Sequence, residues 1–147
     1  MPFLYAIGID PASNELAGTK PRAWSEFRTR WEEILADVDG SATRVIPRVI
    51  LADGEPVGSI NIFPQEGADS LGYWISREHW GRGIASAAVT LLLAEVPIRP
   101  LHATTAGHNL ASLRVLTTHG FEIVSRGPTP ETDRSRPRET VVLVLRA

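Results

Sequence analysis

The sequence predicts one α/β domain, in which short strands alternate with helices. Three stretches carry that reading. Leu71–Val96 (LGYWISREHWGRGIASAAVTLLLAEV) runs from an apolar strand, through a polar connection, into a helix. Arg44–Leu51 and Val57–Phe63 flank Asp53-Gly54, a strong hairpin signal. Asn109–His119 is a short helical pattern between two strand-like runs.

Composition narrows the function classes. A formal net charge of −2 gives no electrostatic footprint for nucleic acid or an anionic membrane. The absence of cysteine excludes disulfides, a zinc–thiolate site and a cysteine nucleophile. No apolar run approaches the roughly twenty residues of a membrane span. Phe3–Ile9 is too short, and lacks the basic start, for a signal peptide. The expected location is cytoplasmic. His102, His108 and His119 have no metal-ligand spacing with a third partner, so no metal is expected.

In chain order, Phe3–Ile9 reads as a first strand or a packed arm, and Asp10–Thr19 as a loop, with Pro11, Asn14 and Gly18 as its signals. Pro21–Val38 is a helix ended by Gly40. Its stripe of Trp24, Phe27, Trp31, Ile34/Leu35 and Val38 is expected to face the core. Arg28, Arg30, Glu32 and Glu33 lie off the stripe. Pro47 marks the first hairpin strand as bulged or at an edge. Pro64–Ser70 reads as a loop, and Leu71–Ser76 as the central strand. The helix from Gly83 repeats Ile84, Ala87/Ala88 and Leu91/Leu92 until Pro97 stops it. Leu101–Thr105 is a strand. Leu110, Leu113 and Leu116/Thr117 give the next helix its stripe, and Gly120 ends it. Phe121–Ser125 and Thr140–Leu145 are strands, and the polar, proline-rich Gly127–Arg138 is a mobile loop.

The chemistry concentrates where the central strand turns into a helix. Free backbone N–H groups point outward at a helix start, and the helix dipole adds positive potential. Small residues there, Gly81, Gly83 and Ala85, let a phosphate approach the backbone. Spacing alone leaves two readings equal, a pyrophosphate cradle or a tight turn without a ligand. The G-x-x-x-x-G-K-[ST] loop is absent, and Lys20 is the only lysine. A Rossmann fingerprint needs Gly or Ala where Ser86 stands, and an acid at the end of the next strand, which is missing.

Trp80-Gly81-Arg82-Gly83-Ile84-Ala85 resembles the acyl-CoA-binding motif [QR]-x-x-G-x-[GA] of the GNAT superfamily of N-acetyltransferases. Its first position is Trp instead of Gln or Arg. With GYWI ahead of it, HWGRGIA is similar to the branch of ribosomal-protein N-terminal acetyltransferases. Asn109–Phe121 resembles the later motif of the same superfamily, roughly N-x-x-[AS]-x-x-x-[YL]-x-x-x-G-F. Alone, that stretch is an N-cap, a helix and a glycine stop. Both motifs in order carry the resemblance, over about Ala52–Val144.

The resemblance implies a mixed, mostly antiparallel sheet with helices on both faces, in which Leu71–Ser76 and Leu101–Thr105 splay apart. It implies acetyl-CoA as cosubstrate. Backbone groups around Trp74 and Ile75 would bind the pantetheine and thioester, and the Ile75 N–H would stabilise the oxyanion. Arg82, Gly83, Ile84, Ala85 and Ser86 would hold the pyrophosphate, and Asn109 and Ser112 the arm. The tyrosine that many members use as acid falls at Leu116 here. Some ribosomal-protein acetyltransferases use the motif serine with a glutamate after the following strand, which points to Ser112 and Glu131. Glu66, Asp69, Glu78, His79 and His102 are further acid/base candidates. Near the N-terminus, Trp24, Phe27 or Arg28 would touch the acceptor. The expected acceptor is a primary amine, on a protein N-terminus or a small molecule, and a homodimer is compatible with this reading. Two alternatives remain: a non-catalytic acyl-CoA sensor of the same fold, and a phosphate-binding or interaction domain without CoA affinity.

Overall fold

The structure, a computed structural model, describes residues 2–37, 39 and 41–147. The elements in order are α1 (Pro2–Gly8), α2 (Pro11–Ala17), α3 (Trp24–Ala36), β1 (Ile46–Ala52), β2 (Glu55–Gln65) and β3 (Ala68–Ile75). A 3-10 turn (Arg77–His79) leads to α4 (Ile84–Glu95), followed by β4 (Leu101–Ala106), α5 (Leu110–Thr118), β5 (Glu122–Thr129) and β6 (Arg138–Leu145). The six strands form one sheet in the order β1-β2-β3-β4-β6-β5. Every neighbouring pair is antiparallel except β3 and β4, which are parallel. The mixed, mostly antiparallel sheet is therefore as expected. No described helix is long and apolar enough to cross a membrane.

The period-2 alternation of β2 and β3 divides the sheet into two faces. Ile60, Ile62, Leu71 and Ile75 join Ala88, Val89 and Leu92 of α4 and Leu116 of α5 in the main core. Leu116 is 2% exposed, and burying such a side chain contributes about 1.5–3 kcal/mol. The opposite face carries Ser59, Asn61, Phe63 and Trp74, and the N-terminal helices lie over it.

Four expectations change. Phe3–Ile9 is not a strand but lies largely in α1, which packs on the body of the domain, and Asp10–Thr19 is not a loop but mostly α2. The residues that look like loop punctuation build α2. Asp10 is its N-cap, accepting from the Ser13 N–H at 3.0 Å, Pro11 opens the first turn, and Gly18 closes it at φ 69°. Asn14 is buried and donates from Nδ2 to the carbonyls of Gly8 and Asp10, tying α1 to α2.

Pro64–Ser70 is not a loop. β2 and β3 pair through Gln65 and Ala68 around Glu66-Gly67, both at positive φ, as a two-residue hairpin turn requires. β1 pairs no further along β2 than Ile62, so Pro64 interrupts no ladder with it. Pro47 lies on an edge strand, and that strand has a register shift at Ile50/Leu51.

The α3 stripe does not face the core, and none of the described α3 residues is buried. Tyr5, Trp24, Phe27 and Trp31 form an aromatic chain with neighbouring centroids 5.1–6.2 Å apart, and Leu35 is 61% exposed. Val38 and Gly40, assigned to the end of this helix from sequence, lie outside the described residues.

The Gly127–Arg138 segment begins as the end of β5, and its remainder is tied down. The Lys20 N–H donates to the Arg134 carbonyl at 2.9 Å, and the Arg136 N–H to the Gly18 carbonyl at 3.0 Å. The Arg138 guanidinium donates to the Ala17 carbonyl, supplying a cation at the C-terminal end of α2.

Candidate active site

β3 and β4 share only the register pairs Ser70/His102 and Leu71/Ala103. Beyond them the strands part, while β3 stays paired with β2, and β4 with β6. The expected splay is thus present between Gly72–Ile75 and the second half of β4.

Ladder geometry fixes which backbone groups face that gap. The Ser76 N–H donates to the Val57 carbonyl at 2.8 Å. Bonded pairs alternate along an antiparallel ladder, so Ser59/Trp74 is bonded and Gly58/Ile75 is not. The backbone groups of Tyr73 and Ile75 therefore point away from β2, into the gap. Accordingly, the Ile75 carbonyl accepts from the indole Nε1 of Trp80 at 3.0 Å. Trp74 turns its backbone to β2, and its indole donates to the Ile7 carbonyl at 2.9 Å, anchoring α1. Thus Tyr73, more than Trp74, accompanies Ile75 at the gap. Gly58, beside them, admits no side chain, because a Cβ would come within 2.1 Å of the Trp74 carbonyl oxygen.

The glycine turn lies between β3 and α4. Gly83 is the N-cap of α4 at φ 74°, with no side chain capping the helix. The first intrahelical bond runs from the Ala87 N–H to the Gly83 carbonyl at 3.0 Å. The N–H groups of Ile84, Ala85 and Ser86 precede it and are the orphan donors of the helix start. Nothing lies within 4 Å of where a Cβ would stand on Gly81 or Gly83. Open space over uncapped donors fits a pyrophosphate. Arg82 is exposed between the two glycines.

On the α4/α5 face, the Tyr73 hydroxyl lies 2.7 Å from Ser112 Oγ and joins the central strand to α5. Burial pushes the Tyr73 phenol above its usual range, and the Ser112 bond pulls it partly back. Asn109 caps α5, its Oδ1 accepting from the Ser112 N–H at 3.2 Å. Sequence reasoning missed Tyr73. The available signal was its i, i+2 relation to Ile75, which puts both side chains on one face. Glu131 pairs with Lys20 at 2.9 Å, and no described hydrogen bond or ion pair joins it to Ser112.

On the other face lies a cavity of about 340 Å³. Leu4 and Tyr5 of α1, Phe27 and Trp31 of α3, and Ser59 and Trp74 of the sheet are among its walls. Of the residues expected near an acceptor, Phe27 lines it. Trp24 instead packs on Tyr5 and Phe27, and Arg28 pairs with Glu32 at 2.8 Å. Among the described residues, no Asp, Glu or His lines the cavity. Glu66, Asp69, Glu78, His79 and His102 are all absent from its walls, and Asp69 lies 3.9 Å from Arg44.

The architecture occurs in solved structures. A ribosomal-protein-alanine N-acetyltransferase from Brucella melitensis superposes with a TM-score of 0.79 at 23% identity, over 99% of this chain and 93% of that one. Mycobacterium smegmatis RimJ, in complex with CoA-disulfide, gives 0.72 at 24% identity, over 99% and 77%. Spermidine N-acetyltransferase from Vibrio cholerae, in complex with CoA and spermine, gives 0.79 at 12% identity, over 99% and 88%. At these identities the likeness is one of fold. No curated protein is significantly similar in sequence. The acetyltransferase (GNAT) domain model matches residues 1–122, and with the splayed strands and glycine turn in place the chain belongs to that family.

Proposed function

We propose that the protein transfers an acetyl group from acetyl-CoA to a primary amine by direct attack. The observation that carries this reading is the β3/β4 gap. It receives the backbone N–H groups of Tyr73 and Ile75, which face away from β2, it borders the strand that leads to the uncapped start of α4, and it has Trp74 and the cavity on its other side.

Arg82 and the N–H groups of Gly83, Ile84, Ala85 and Ser86 hold the pyrophosphate. Backbone groups of Tyr73 and Ile75, with Asn109, hold the pantetheine arm. The amine nitrogen attacks the thioester carbonyl carbon from the cavity side, forming the C–N bond. Negative charge builds on the carbonyl oxygen, and the Ile75 N–H donates to it. One oriented donor of this kind contributes about 3 kcal/mol. Holding the amine against the thioester supplies much of the remainder. The C–S bond then breaks and the thiolate takes a proton from Ser112, which Tyr73 replenishes. The proton lost by the nitrogen returns the pair to its starting state through water. The products are an amide and free CoA.

The non-catalytic sensor reading rests on the tyrosine missing at Leu116 and on an N-terminal region abbreviated for the superfamily. The Tyr73–Ser112 pair supplies hydroxyls for the same role from β3 and the first turn of α5, so catalysis is the better-supported reading. The cavity offers no carboxylate or imidazole base, so the amine reacts from its neutral form and water carries its proton away. Incubating the protein with acetyl-CoA and primary amines tests this. Thiol release matched by a one-acetyl mass gain on the amine is expected. No transfer to any amine by a protein that binds acetyl-CoA returns the sensor reading.

A further inference from the structure

The cavity has an unusual charge pattern for a site that must admit an amine. Its charged lining consists of Arg22, Arg30 and Arg134. They come from the entry to α3, from α3 itself, and from the loop between β5 and β6. That loop is anchored to the end of α2, which brings Arg134 over the cavity. Arg134 also donates to the Lys20 carbonyl, and Arg30 reaches Glu33 only at 3.6 Å. Burial depresses the Arg134 pKa, the charge of Arg22 depresses it further, and Glu26 offsets this only in part. Two guanidiniums near each other, without a carboxylate in the cavity wall, favour an anion between them.

The sheet end of the cavity is neutral and polar. Ser59 and Asn61 line it, and Asn61 Oδ1 is buried without a hydrogen-bond partner. A buried amide oxygen left unpaired is costly, and a ligand N–H would satisfy it. Gly58 and Ser59 adjoin Trp74 and Ile75 in register, so this end is beside the reacting thioester. Phe27 and Trp31 give the cavity an aromatic wall.

We propose that the acceptor is a small primary amine carrying an anionic group, a carboxylate or a phosphonate, on an apolar body. This rests on the acetyl-transfer reading and names its substrate class. The anion sits among Arg22, Arg30 and Arg134, the body lies against Phe27 and Trp31, and the amine approaches Asn61 and Ser59. The arginines also disfavour an ammonium nearby, which raises the neutral fraction of the amine. A polyamine places a second cation where the guanidiniums are and is rejected.

An isosteric series tests this: 4-(aminomethyl)benzoate, its phosphonate analogue, 4-(aminomethyl)benzamide and 4-(aminomethyl)benzylamine. Binding to the protein without acetyl-CoA is measured by calorimetry, and acetylation by thiol release. One or both anions are expected to bind on the order of tenfold tighter than the amide, with the diamine weakest. The better of carboxylate and phosphonate identifies the anion. Arg22→Gln is expected to remove most of that preference by weakening the anion, while leaving the amide and acetyl-CoA unchanged. Equal binding of anion, amide and diamine overturns the proposal. So does faster acetylation of an acidic peptide N-terminus than of either anion, which would make the acceptor a protein. Anion binding without any acetyl transfer fails the activity and leaves the site. Acetyl transfer without anion preference fails the site and leaves the activity.

Discussion

The two faces of the sheet are built from different materials. On the α4/α5 side, backbone groups and small residues make the proposed cofactor site: the Tyr73 and Ile75 amides in the β3/β4 gap, and the bare start of α4. On the α1–α3 side, large side chains line the cavity over Trp74 and Phe63, and none of the described residues of α3 is buried. The first construction suits a group that is the same in every turnover. The second can change its lining by changing side chains, without disturbing the ladder proposed to hold the thioester.

The sharpest way to break this contrast is thermodynamic. Leu116→Ala, under α5, is expected to lower unfolding stability by about 3 kcal/mol in denaturant titration. Leu35→Ala, on α3, is expected to change it by less than about 0.5 kcal/mol. Similar losses would mean that α3 is as much part of the core as α5.

The next test is kinetic. Tyr73→Phe is expected to lower kcat on the order of 100-fold, with acetyl-CoA affinity little changed. Ser112→Ala is expected to do the same, and the double variant to lose no more than either alone, because the two hydroxyls act as one unit. Additive losses would separate them. Burial raises the Tyr73 pKa from its usual 10.0, and the proposed mechanism uses its protonated form. The alkaline limb of the wild-type kcat profile is therefore expected above pH 10. A limb well below that would remove Tyr73 as the proton source.

A smaller effect concerns the nucleophile. With no base in the cavity wall, the acidic limb of kcat/KM is expected to follow the ionisation of each acceptor amine, moving when the amine is changed. A limb fixed across acceptors would reveal a protein base. Smallest of all is the effect at α2. Hydrogen bonds from Ser13 and the nearby Arg77 hold the Asp10 carboxyl below its usual 3.8. Its contribution to stability is present above the unfolded pKa and is lost as pH falls through the lower folded value. Asp10→Asn is expected to flatten the pH dependence of Tm in that acidic window, with its small loss of Tm appearing above the window, neutral pH included, and vanishing below it.

The same division explains what the sequence disclosed. Gly81, Gly83, Pro97 and Asn109 set local backbone geometry, so the strand–turn–helix and the cap of α5 were legible from a few residues each. The hairpin at Asp53-Gly54 was equally plain. Its neighbour at Glu66-Gly67 was hidden, because a glutamate at φ 50° is not a turn signal by type. α2 was hidden because Asp10, Pro11 and Gly18 punctuate a seven-residue helix as readily as a loop. The stripe on α3 was read correctly as apolar but assigned to the wrong surface, since periodicity says which residues share a face and not what they face. The Tyr73–Ser112 contact and the meeting of Arg22, Arg30 and Arg134 are products of chain folding. Tyr73 and Ser112 lie far apart in sequence, as does Arg134 from Arg22 and Arg30, and no local spacing encodes these meetings.

The central claim, that the β3/β4 gap and the start of α4 form an acetyl-CoA site, is best tested by calorimetric titration of acetyl-CoA into wild type and Arg82→Glu. Gly83 is a poorer target, because any side chain at φ 74° strains the turn whatever the space around it. Arg82 is exposed, so its reversal changes the charge and spares the fold. Saturable one-to-one binding by wild type is expected, weakened at least tenfold in Arg82→Glu at unchanged Tm. A folded wild-type protein that takes up no acetyl-CoA would contradict the site.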